Sequence, residues 1–278
     1  MSKKNLPDVT RKKISNERLV KMLSERQWTQ KELDEMGVKE FQLVELTNLN
    51  YDVHKQYDPV ANDFVRYIVP KGGVPMIYLP HEAGTPLKLA KIADLHIGSS
   101  EVDNKEIVSL LSYLWETGIR IITISGDIVD GYGVYKGQVT NLAMSTIQRQ
   151  AAAAVSVLSL FDFTYIAVRG NHDESSTKSA GVDVISLIEA EMVLRKKKFT
   201  YLCGYAGLVI FDGVAIQIMH MDGGKSATSD TYGSQKLMDN FFKSAVGGDV
   251  NAKVNEVKVF DKMVPVINVV TGHYHTIA

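Results

Sequence analysis

Aspartate, asparagine and histidine side chains follow five apolar runs of the sequence, at the point where each run ends. Five of the seven histidines lie in these positions, so groups that commonly bind metals are concentrated there. The polar residues concerned are Asp94 and His96, Asp127 and Asp130, Asn171, His172 and Asp173, His220, and His273 and His275. Because functional groups in α/β folds collect in the loops after strand ends, we expect these side chains to meet at one edge of a sheet.

The types of these side chains indicate which metals they would bind. Carboxylate, amide and imidazole groups without thiolate suit divalent ions such as manganese, iron, zinc or nickel. The single cysteine, Cys203, excludes a disulfide scaffold and a cysteine-based zinc site. The candidate ligands are too many for one tetrahedral zinc, whereas two metals sharing a carboxylate would use them all. Paired metals about 3.5–4 Å apart suit in-line phosphoryl chemistry, because they clamp the attacking and leaving oxygens.

The second part of the chain alternates short β-rich runs with amphipathic helical patterns. The predicted strands are residues 87–93, 119–125, 164–168, 214–219 and 264–270, and the predicted helices are 105–116, 140–160 and 184–195. This alternation predicts an α/β domain in which helices cover a sheet. Glycines at 98, 126, 170 and 272 fit tight turns in which the backbone approaches the metals closely.

The first 70 residues have a different pattern, made of short helices. Thr29 and Glu32 have the spacing of a capping box, and Gly37 ends the short helix that follows. Apolar helical stripes lie before and after it, and the segment 51–68 suits a β-hairpin wing. We therefore predict a helix-turn-helix or winged-helix-like module over residues 1–70, whose first 26 residues carry a local net charge of +5. Residues 71–86 would form a linker or a strand leading into the second domain, over 87–278.

Composition restricts the class of protein. The 278 residues have a formal net charge of −1, with 45% apolar and 23% charged residues, which is typical of a globular protein. Near-neutral charge excludes binding to nucleic acid or membrane by bulk electrostatics alone. No apolar run is long enough for a transmembrane helix, and residues 1–13 lack the apolar stretch of a secretory signal. We expect a soluble, cytoplasmic protein, of cellular or phage origin.

The motifs DLHIG, GDIVD, GNHD and GHYH, together with the isolated His220, resemble those of the calcineurin-like metallophosphoesterase superfamily. The resemblance covers residues 87–278 and implies a two-sheet β-sandwich flanked by helices, with two metal ions at one edge. By motif, one metal would be held by Asp94, His96 and His275, the other by Asn171, His220 and His273, and both by Asp127. Manganese is the metal we expect first, with iron, zinc or nickel as alternatives.

The same resemblance gives His172 a role other than metal binding. In GNHD this histidine would face the substrate, where it can stabilise the phosphoryl group or protonate the leaving oxygen. Either Asp130 or Asp173 would orient it, and the position of Asp130 in GDIVD favours Asp130. A hydroxide bridging the metals would be the nucleophile, so no covalent enzyme intermediate is needed.

The branch of the superfamily is indicated by the residues after GDIVD. Protein Ser/Thr phosphatases continue with Arg-Gly, whereas Gly131-Tyr132 follows here, which argues against a protein phosphatase. The spacing of DLHIG with GNHD is more similar to the DNA-repair exonuclease branch and to microbial or phage members. Tyr232, Gln235 and Lys236 lie in a glycine-rich segment that would either line the substrate cleft or form a lid without specificity. Members of the superfamily normally add one or two strands after the last histidine. We therefore expect either a C-terminally short member or a fragment of a longer gene.

Three functions from different classes follow from these features. The first is a metal-dependent phosphodiesterase or nuclease whose phosphoester substrate is DNA, with the N-terminal module as a DNA contact. Lys39, Glu40 and Glu45 on the candidate recognition helix do not make it basic, which weakens this reading. The second is a phosphatase or phosphodiesterase on a small molecule, with the module as a docking domain. The third, ranked last because the motifs are intact, is a non-catalytic scaffold. The oligomeric state is left open.

Overall fold

The computed structural model describes residues 14–49, 51–81, 85–211, 214–220, 256–259 and 262–272. Five predicted site residues lie outside these ranges: Tyr232, Gln235, Lys236, His273 and His275. Within the described ranges, none of the helices has the length and apolar character needed to span a bilayer.

The N-terminal part consists of three helices and a small sheet. Its helices are α1 (Asn16–Glu25), α2 (Gln30–Glu35) and α3 (Glu40–Thr47), and its strands are β1 (Trp28–Thr29), β2 (Tyr51–Asp58) and β3 (Asp63–Pro70). Thr29 and Glu32 form the expected capping box at the start of α2. Strands β2 and β3 form an antiparallel hairpin, and β1 pairs with β3. The apolar faces of the helices meet in a small core that includes Leu19, Leu33 and Leu46.

A parallel sheet carries most of the candidate site. It consists of β5 (Leu89–Ile92), β6 (Ile121–Ser125), β7 (Thr164–Val168) and β8 (Lys198–Tyr201), in that spatial order. Each neighbouring pair is parallel, so the carboxyl ends of these strands lie at one edge of the sheet. Helices α4 (Asn104–Glu116), α5 (Ile147–Leu158) and α7 (Val184–Leu194) pack against this sheet, and their apolar side chains share one buried core with it.

A mixed sheet faces the parallel sheet from the other side. It consists of β4 (Met76–Leu79), β9 (Ala206–Phe211), β10 (Val214–His220), β11 (Glu256–Val259) and β12 (Lys262–Gly272), and its spatial order is β11-β12-β10-β9-β4. A second buried core joins the two sheets, with Ile166 and Val168 from β7 packed among Val209, Ile216 and Ile218. The predicted two-sheet α/β sandwich flanked by helices is therefore confirmed.

The N-terminal hairpin packs against both sheets. Gln56 Nε2 donates to the carbonyl of Met76 at 2.6 Å, and the backbone N–H of Met76 donates to the Tyr67 hydroxyl at 2.7 Å. Thr200 Oγ1 on β8 donates to the carbonyl of Tyr57 at 2.7 Å. The hairpin is therefore hydrogen-bonded to the strand β4 that begins the mixed sheet and to the edge strand β8 of the parallel sheet.

The predicted start of one helix is wrong. The apolar pattern predicted a helix over residues 140–160, but α5 begins at Ile147, because the Thr146 side chain accepts the backbone N–H of Arg149 and caps the helix there. Residues Gln138–Asn141 form a separate 3-10 turn. A further helix, α6 (Asn171–Ala180), begins within the GNHD motif and was not predicted.

Candidate metal centre

The loops after β5 and β6 are hydrogen-bonded to each other through their backbones. The N–H of Asp94 donates to the carbonyl of Gly126 at 3.1 Å, and the N–H of His96 donates to the carbonyl of Asp127 at 3.0 Å. In return, the N–H of Asp130 donates to the carbonyl of Ile97 at 3.2 Å. This pairing fixes the first two motifs, DLHIG and GDIVD, side by side at the edge of the parallel sheet.

Three of the predicted ligands have left-handed backbones. The φ angles of Asp94, His96 and Asp127 are 56°, 43° and 54°. Asp and His are among the non-glycine residues that adopt this conformation most readily, but it still costs about 1–2 kcal/mol per residue. Such conformations persist where the surrounding contacts enforce them, and they cluster at functional sites. Here they turn three neighbouring side chains toward one point.

The side chains of Asp94 and His96 lie around the carboxylate of Asp127, which is 1% exposed. Its Oδ1 accepts the backbone N–H of His172 at 2.9 Å, whereas its Oδ2 is buried and has no hydrogen-bond donor among the described residues. Oδ2 lies 3.3 Å from Nε2 of His220 and 3.9 Å from Nε2 of His96. A buried carboxylate oxygen that receives no donor and faces two imidazole nitrogens fits a metal-bridging ligand.

The metal-ligating atoms around Asp127 form two overlapping groups. Within each group the atoms that could bind a metal lie no more than 4.8 Å apart; one group consists of His96, Asp127 and His172, and the other of Asp94, Asp127 and His220. This grouping by distance differs from the assignment by motif, because it includes His172 and separates Asp94 from His96. Burial, followed by repulsion from Asp173, raises the pKa of Asp127 to about 8. Divalent cations beside this carboxylate would favour its ionised form, so the protein's own electrostatics fit a site for positive charge.

His220 is oriented by the backbone of β6. Its Nδ1 lies 2.8 Å from the carbonyl oxygen of Ser125, and since a carbonyl can only accept, Nδ1 carries the proton. In the neutral ring, Nε2 is then an acceptor that lies 3.0 Å from Asn171 Oδ1 and 3.3 Å from Asp127 Oδ2. Three acceptors that converge without a proton between them fit the binding of a shared cation. A backbone carbonyl that fixes the tautomer of a metal-ligating histidine is a common supporting contact in metal sites.

Asp130 contacts two histidines at once. Its Oδ1 lies 3.1 Å from Nδ1 of His96 and 3.3 Å from Nδ1 of His172, and its carbonyl lies 2.8 Å from the same His172 nitrogen. The two rings meet edge to face, with centroids 4.3 Å apart. The geometry therefore favours Asp130 over Asp173 as the residue that would orient His172.

Asp130 and His172 each shift the pKa of the other. Burial disfavours the ionised carboxylate, but hydrogen bonds from His172 and His96 hold the pKa of Asp130 below its usual range. Burial likewise lowers the pKa of His172, but the Asp130 side chain, followed by the charge of Asp127, more than offsets it and raises the pKa of His172 above its ordinary value. A histidine whose protonated form is favoured by a carboxylate in this way can supply a proton.

Asp173 has a supporting role that the sequence analysis missed. Its Oδ2 accepts the backbone N–H groups of Asp127 at 2.8 Å and Gly170 at 2.9 Å, and its Oδ1 accepts that of Val129 at 3.1 Å. Burial raises the pKa of Asp173 to about 6 against the effect of these three bonds. The signal that could have revealed this role is its place as the third residue of α6, where acidic residues commonly accept backbone donors.

Two glycines are required where the motifs approach each other. A Cβ atom on Gly170 would lie 2.0 Å from Oδ1 of Asp127, and one on Gly126 would lie 2.6 Å from Nδ1 of His220. Both distances are shorter than any real contact, so any larger residue would displace a candidate ligand. The glycines of GDIVD and GNHD thus allow the two loops to close around Asp127.

The structure brings together all of the predicted site residues that it describes: Asp94, His96, Asp127, Asp130, Asn171, His172 and His220. The predicted ligands His273 and His275 lie outside the described residues. Strand β12 nevertheless runs parallel to β10 and places Gly272 in register with His220. The described chain thus reaches the level of the site at Gly272, directly before His273.

A sandwich whose strand ends collect carboxylate, amide and imidazole groups at one edge has the architecture and the candidate ligands of a metallophosphoesterase domain. Residues 87–276 match the family model of the calcineurin-like phosphoesterases. The chain belongs to that family, as the motifs predicted.

Curated relatives of this chain are named DNA polymerase II small subunit. The protein from Methanothermobacter thermautotrophicus is 24% identical over 229 residues, which cover 73% of this chain and 46% of the relative. That from Thermoplasma acidophilum is 29% identical over 125 residues, covering 42% of this chain and 25% of the relative. That from Archaeoglobus fulgidus is 38% identical over 95 residues, covering 30% and 20%. The chain therefore matches less than half of the length of each.

Proposed function

We propose that this chain is a metal-dependent phosphodiesterase that acts on DNA. The observation that carries the proposal is the buried Oδ2 of Asp127, which faces Nε2 of both His96 and His220 and receives no described donor. Asp94, His96, Asp127, Asn171 and His220 would hold two divalent ions, manganese first, with His273 and His275 completing the set. Bound metals would supply Lewis acidity and an activated water for attack on phosphorus.

The residues of the chain then have distinct tasks. Asp130 holds Nδ1 of His172 through its carbonyl and its carboxylate, which leaves Nε2 of the ring for the substrate. From that nitrogen His172 donates a proton to the leaving oxygen, and the contact of Nδ1 with Asp130 favours the protonated form of the ring. Asp173 fixes the loop that carries Asp127 without touching the substrate.

Two observations support DNA as the substrate. The curated relatives carry the name of a DNA polymerase subunit, and the N-terminal part has the helix and hairpin order proposed for a winged-helix-like module. The candidate recognition helix α3 is not basic, and its Glu40 pairs with Arg66 at 2.8 Å. We therefore assign the cleavage chemistry to the metal site and propose only an auxiliary DNA contact for the module.

A second candidate function is a non-catalytic role as a subunit of a DNA polymerase. The observation that favours it is the relatives' name, small subunit, which describes a component of an assembly. The two candidates differ in one respect that can be measured, because only the first requires turnover that depends on His172.

The experiment measures hydrolysis after chelation and addition of Mn²⁺. Its substrates are bis-p-nitrophenyl phosphate, p-nitrophenyl phosphate, and labelled single- and double-stranded DNA. His172→Ala is the test variant, and His81→Ala, which removes a histidine bonded to the carbonyl of Thr85 outside the site, is the matched control.

Each outcome selects one function. Metal-dependent cleavage of the diester and of DNA, lost in His172→Ala and kept in His81→Ala, supports the proposal. Hydrolysis of the monoester with DNA left intact would favour the small-molecule phosphatase. Absence of turnover on all four substrates, with metal bound, would favour the non-catalytic subunit.

A further inference from the structure

Residues 131–137, which we call the tyrosine loop, lie between Asp130 and the 3-10 turn and present two aromatic rings to solvent. Tyr132 is 40% exposed and Tyr135 is 50% exposed. The ring of Tyr135 lies beside the candidate acid, with its centroid 6.3 Å from that of His172 and a tilt of 59°. Lys136, the next residue, is also exposed. The loop therefore places an accessible aromatic ring beside the candidate acid, and an exposed lysine follows that tyrosine in the sequence.

The tyrosine loop is held by two buried glutamines. Gln138 Nε2 donates to the carbonyl of Asp130 at 2.7 Å and to its Oδ2 at 3.2 Å, while Gln138 Oε1 accepts the N–H of Val134 at 2.9 Å. Gln150 on α5 accepts the N–H of Gly131 at 2.8 Å and donates to its carbonyl at 2.9 Å. Both glutamines are fully buried, so these polar contacts fix the loop on the residue that orients His172.

A serine joins the same loop to the helix of His172. Ser175 Oγ on α6 accepts the N–H of Tyr132 at 2.9 Å and donates to the carbonyl of His172 at 2.6 Å. Gly131 has a φ of 72°, and a Cβ atom there would lie 2.2 Å from both Ser175 Oγ and the His172 carbonyl oxygen. The loop backbone and the candidate acid are thus held together, and the Tyr135 ring lies beside His172.

We propose that Tyr135 is a stacking platform for the nucleobase next to the scissile phosphate, which makes it a specificity-determining residue. The inference rests on the proposed phosphodiesterase function and names its substrate as single-stranded DNA. A base is attached to the sugar that the phosphate esterifies, so a phosphate beside His172 brings that base to the neighbouring surface, where the Tyr135 ring lies. Stacking requires a free base face, which unpaired DNA offers, and it tolerates every base. Lys136 would attract the adjoining backbone phosphate.

The experiment compares two diesters that share a leaving group and differ only in the nucleoside. Thymidine 5′-(p-nitrophenyl phosphate) carries a base, and methyl p-nitrophenyl phosphate does not. We expect Tyr135→Ala to lower the ratio of kcat/KM for the thymidine ester over the methyl ester by about 5- to 100-fold, the usual effect of losing one stacked base. Tyr135→Phe should preserve the ratio, and Tyr113→Ala, which removes a 63% exposed tyrosine on α4, is the matched control.

A binding measurement separates this inference from the proposed function. Fluorescence anisotropy of a labelled oligothymidylate, in excess chelator, reports base binding without turnover. We expect Tyr135→Ala to weaken binding by a factor in the same range and Tyr135→Phe to retain it. If the wild-type chain hydrolyses neither ester, the proposed function fails and the binding measurement alone decides about Tyr135.

Three results would overturn the stacking role. An equal loss of kcat/KM on both esters in Tyr135→Ala would show that the ring only packs on His172. Oligothymidylate binding that is the same in Tyr135→Ala and the wild-type chain would exclude a base contact. Failure of the wild-type chain to bind the oligothymidylate would exclude it too. Circular dichroism of each variant checks that the fold is retained.

Discussion

Replacement of Glu189 by glutamine should raise the free energy of unfolding above that of the wild type, and this gain should be much larger at high pH than at low pH. Glu189 on α7 is 8% exposed, and its carboxylate accepts the backbone N–H of Tyr201 at 2.8 Å. The backbone N–H of Tyr57 in the N-terminal hairpin also bonds to it. Burial, the largest effect, raises the pKa of Glu189 to about 7 from an ordinary value of 4.5.

The sign of the pH effect follows from proton binding. Between pH 4.5 and 7 the folded chain holds a proton on Glu189 that the unfolded chain has released, so stability falls as the pH rises through this window. One pKa unit corresponds to about 1.4 kcal/mol, so the ionised, buried carboxylate costs about 3 kcal/mol above pH 7. At pH 5 the cost is about 1 kcal/mol, because most folded molecules still hold the proton. Glutamine is neutral at every pH and avoids this loss.

Urea unfolding at pH 5 and pH 8 measures the effect. The free energy of unfolding of Glu189→Gln minus that of the wild type should increase by about 2 kcal/mol between the two pH values, with the urea dependence unchanged. The control is Glu191→Gln on the same helix, which removes an exposed partner of Arg195 and should show no such increase. A difference between Glu189→Gln and the wild type that stays constant with pH would refute the reasoning.

The remaining predictions concern the metal centre. His172→Ala should leave the metals bound but reduce turnover by about 10²- to 10⁴-fold, the usual contribution of a positioned acid; a comparable loss of metal would show that His172 is a ligand. Asp127→Asn should weaken binding of both metals together in calorimetric titrations with Mn²⁺, because the Asp127 carboxylate faces His96 and His220, which we assign to different metals; loss of a single metal would contradict the bridging assignment. Gly170→Ala should reduce metal affinity because its Cβ meets Asp127, whereas Gly204→Ala, whose Cβ has no neighbour closer than 3.7 Å, should not; equal affinities in the two variants would count against the close approach.

The sequence predicted the parts of the site that depend on local pattern. Apolar runs that end in Asp, Asn or His identified the edge of the parallel sheet, and β7 was predicted with its observed bounds. These features were accessible because strand periodicity and motif spacing are properties of adjacent residues. The start of α5 was not, because the apolar pattern continues through Val139 and Leu142, while the actual start depends on the side chain of Thr146.

Residues that act through long-range contacts escaped prediction. Gln138 and Gln150 have no motif, and their importance appears only when folding brings them to Asp130 and Gly131. Asp173 stood in a recognised motif, but its three backbone partners come from two different loops. The sequence predicts a linker or an entry strand over residues 71–86 and does not distinguish the two, because only pairing with β9 makes β4 part of the mixed sheet. A buried polar group is identified by its partners, and one sequence does not contain that information.

The attachment of the N-terminal hairpin to β4 and β8 has a geometric consequence. Hydrogen bonds from Gln56 to Met76, from Met76 to Tyr67 and from Thr200 to Tyr57 hold the hairpin against both sheets of the sandwich. A module held in this way stays at a constant distance from the metal centre, whereas a module on a flexible linker would not. If the module binds a nucleic acid strand, the metal centre must cleave that strand a constant number of nucleotides from the bound segment. The lengths of the products would then be uniform, and they would depend on the distance between the N-terminal module and the metal centre.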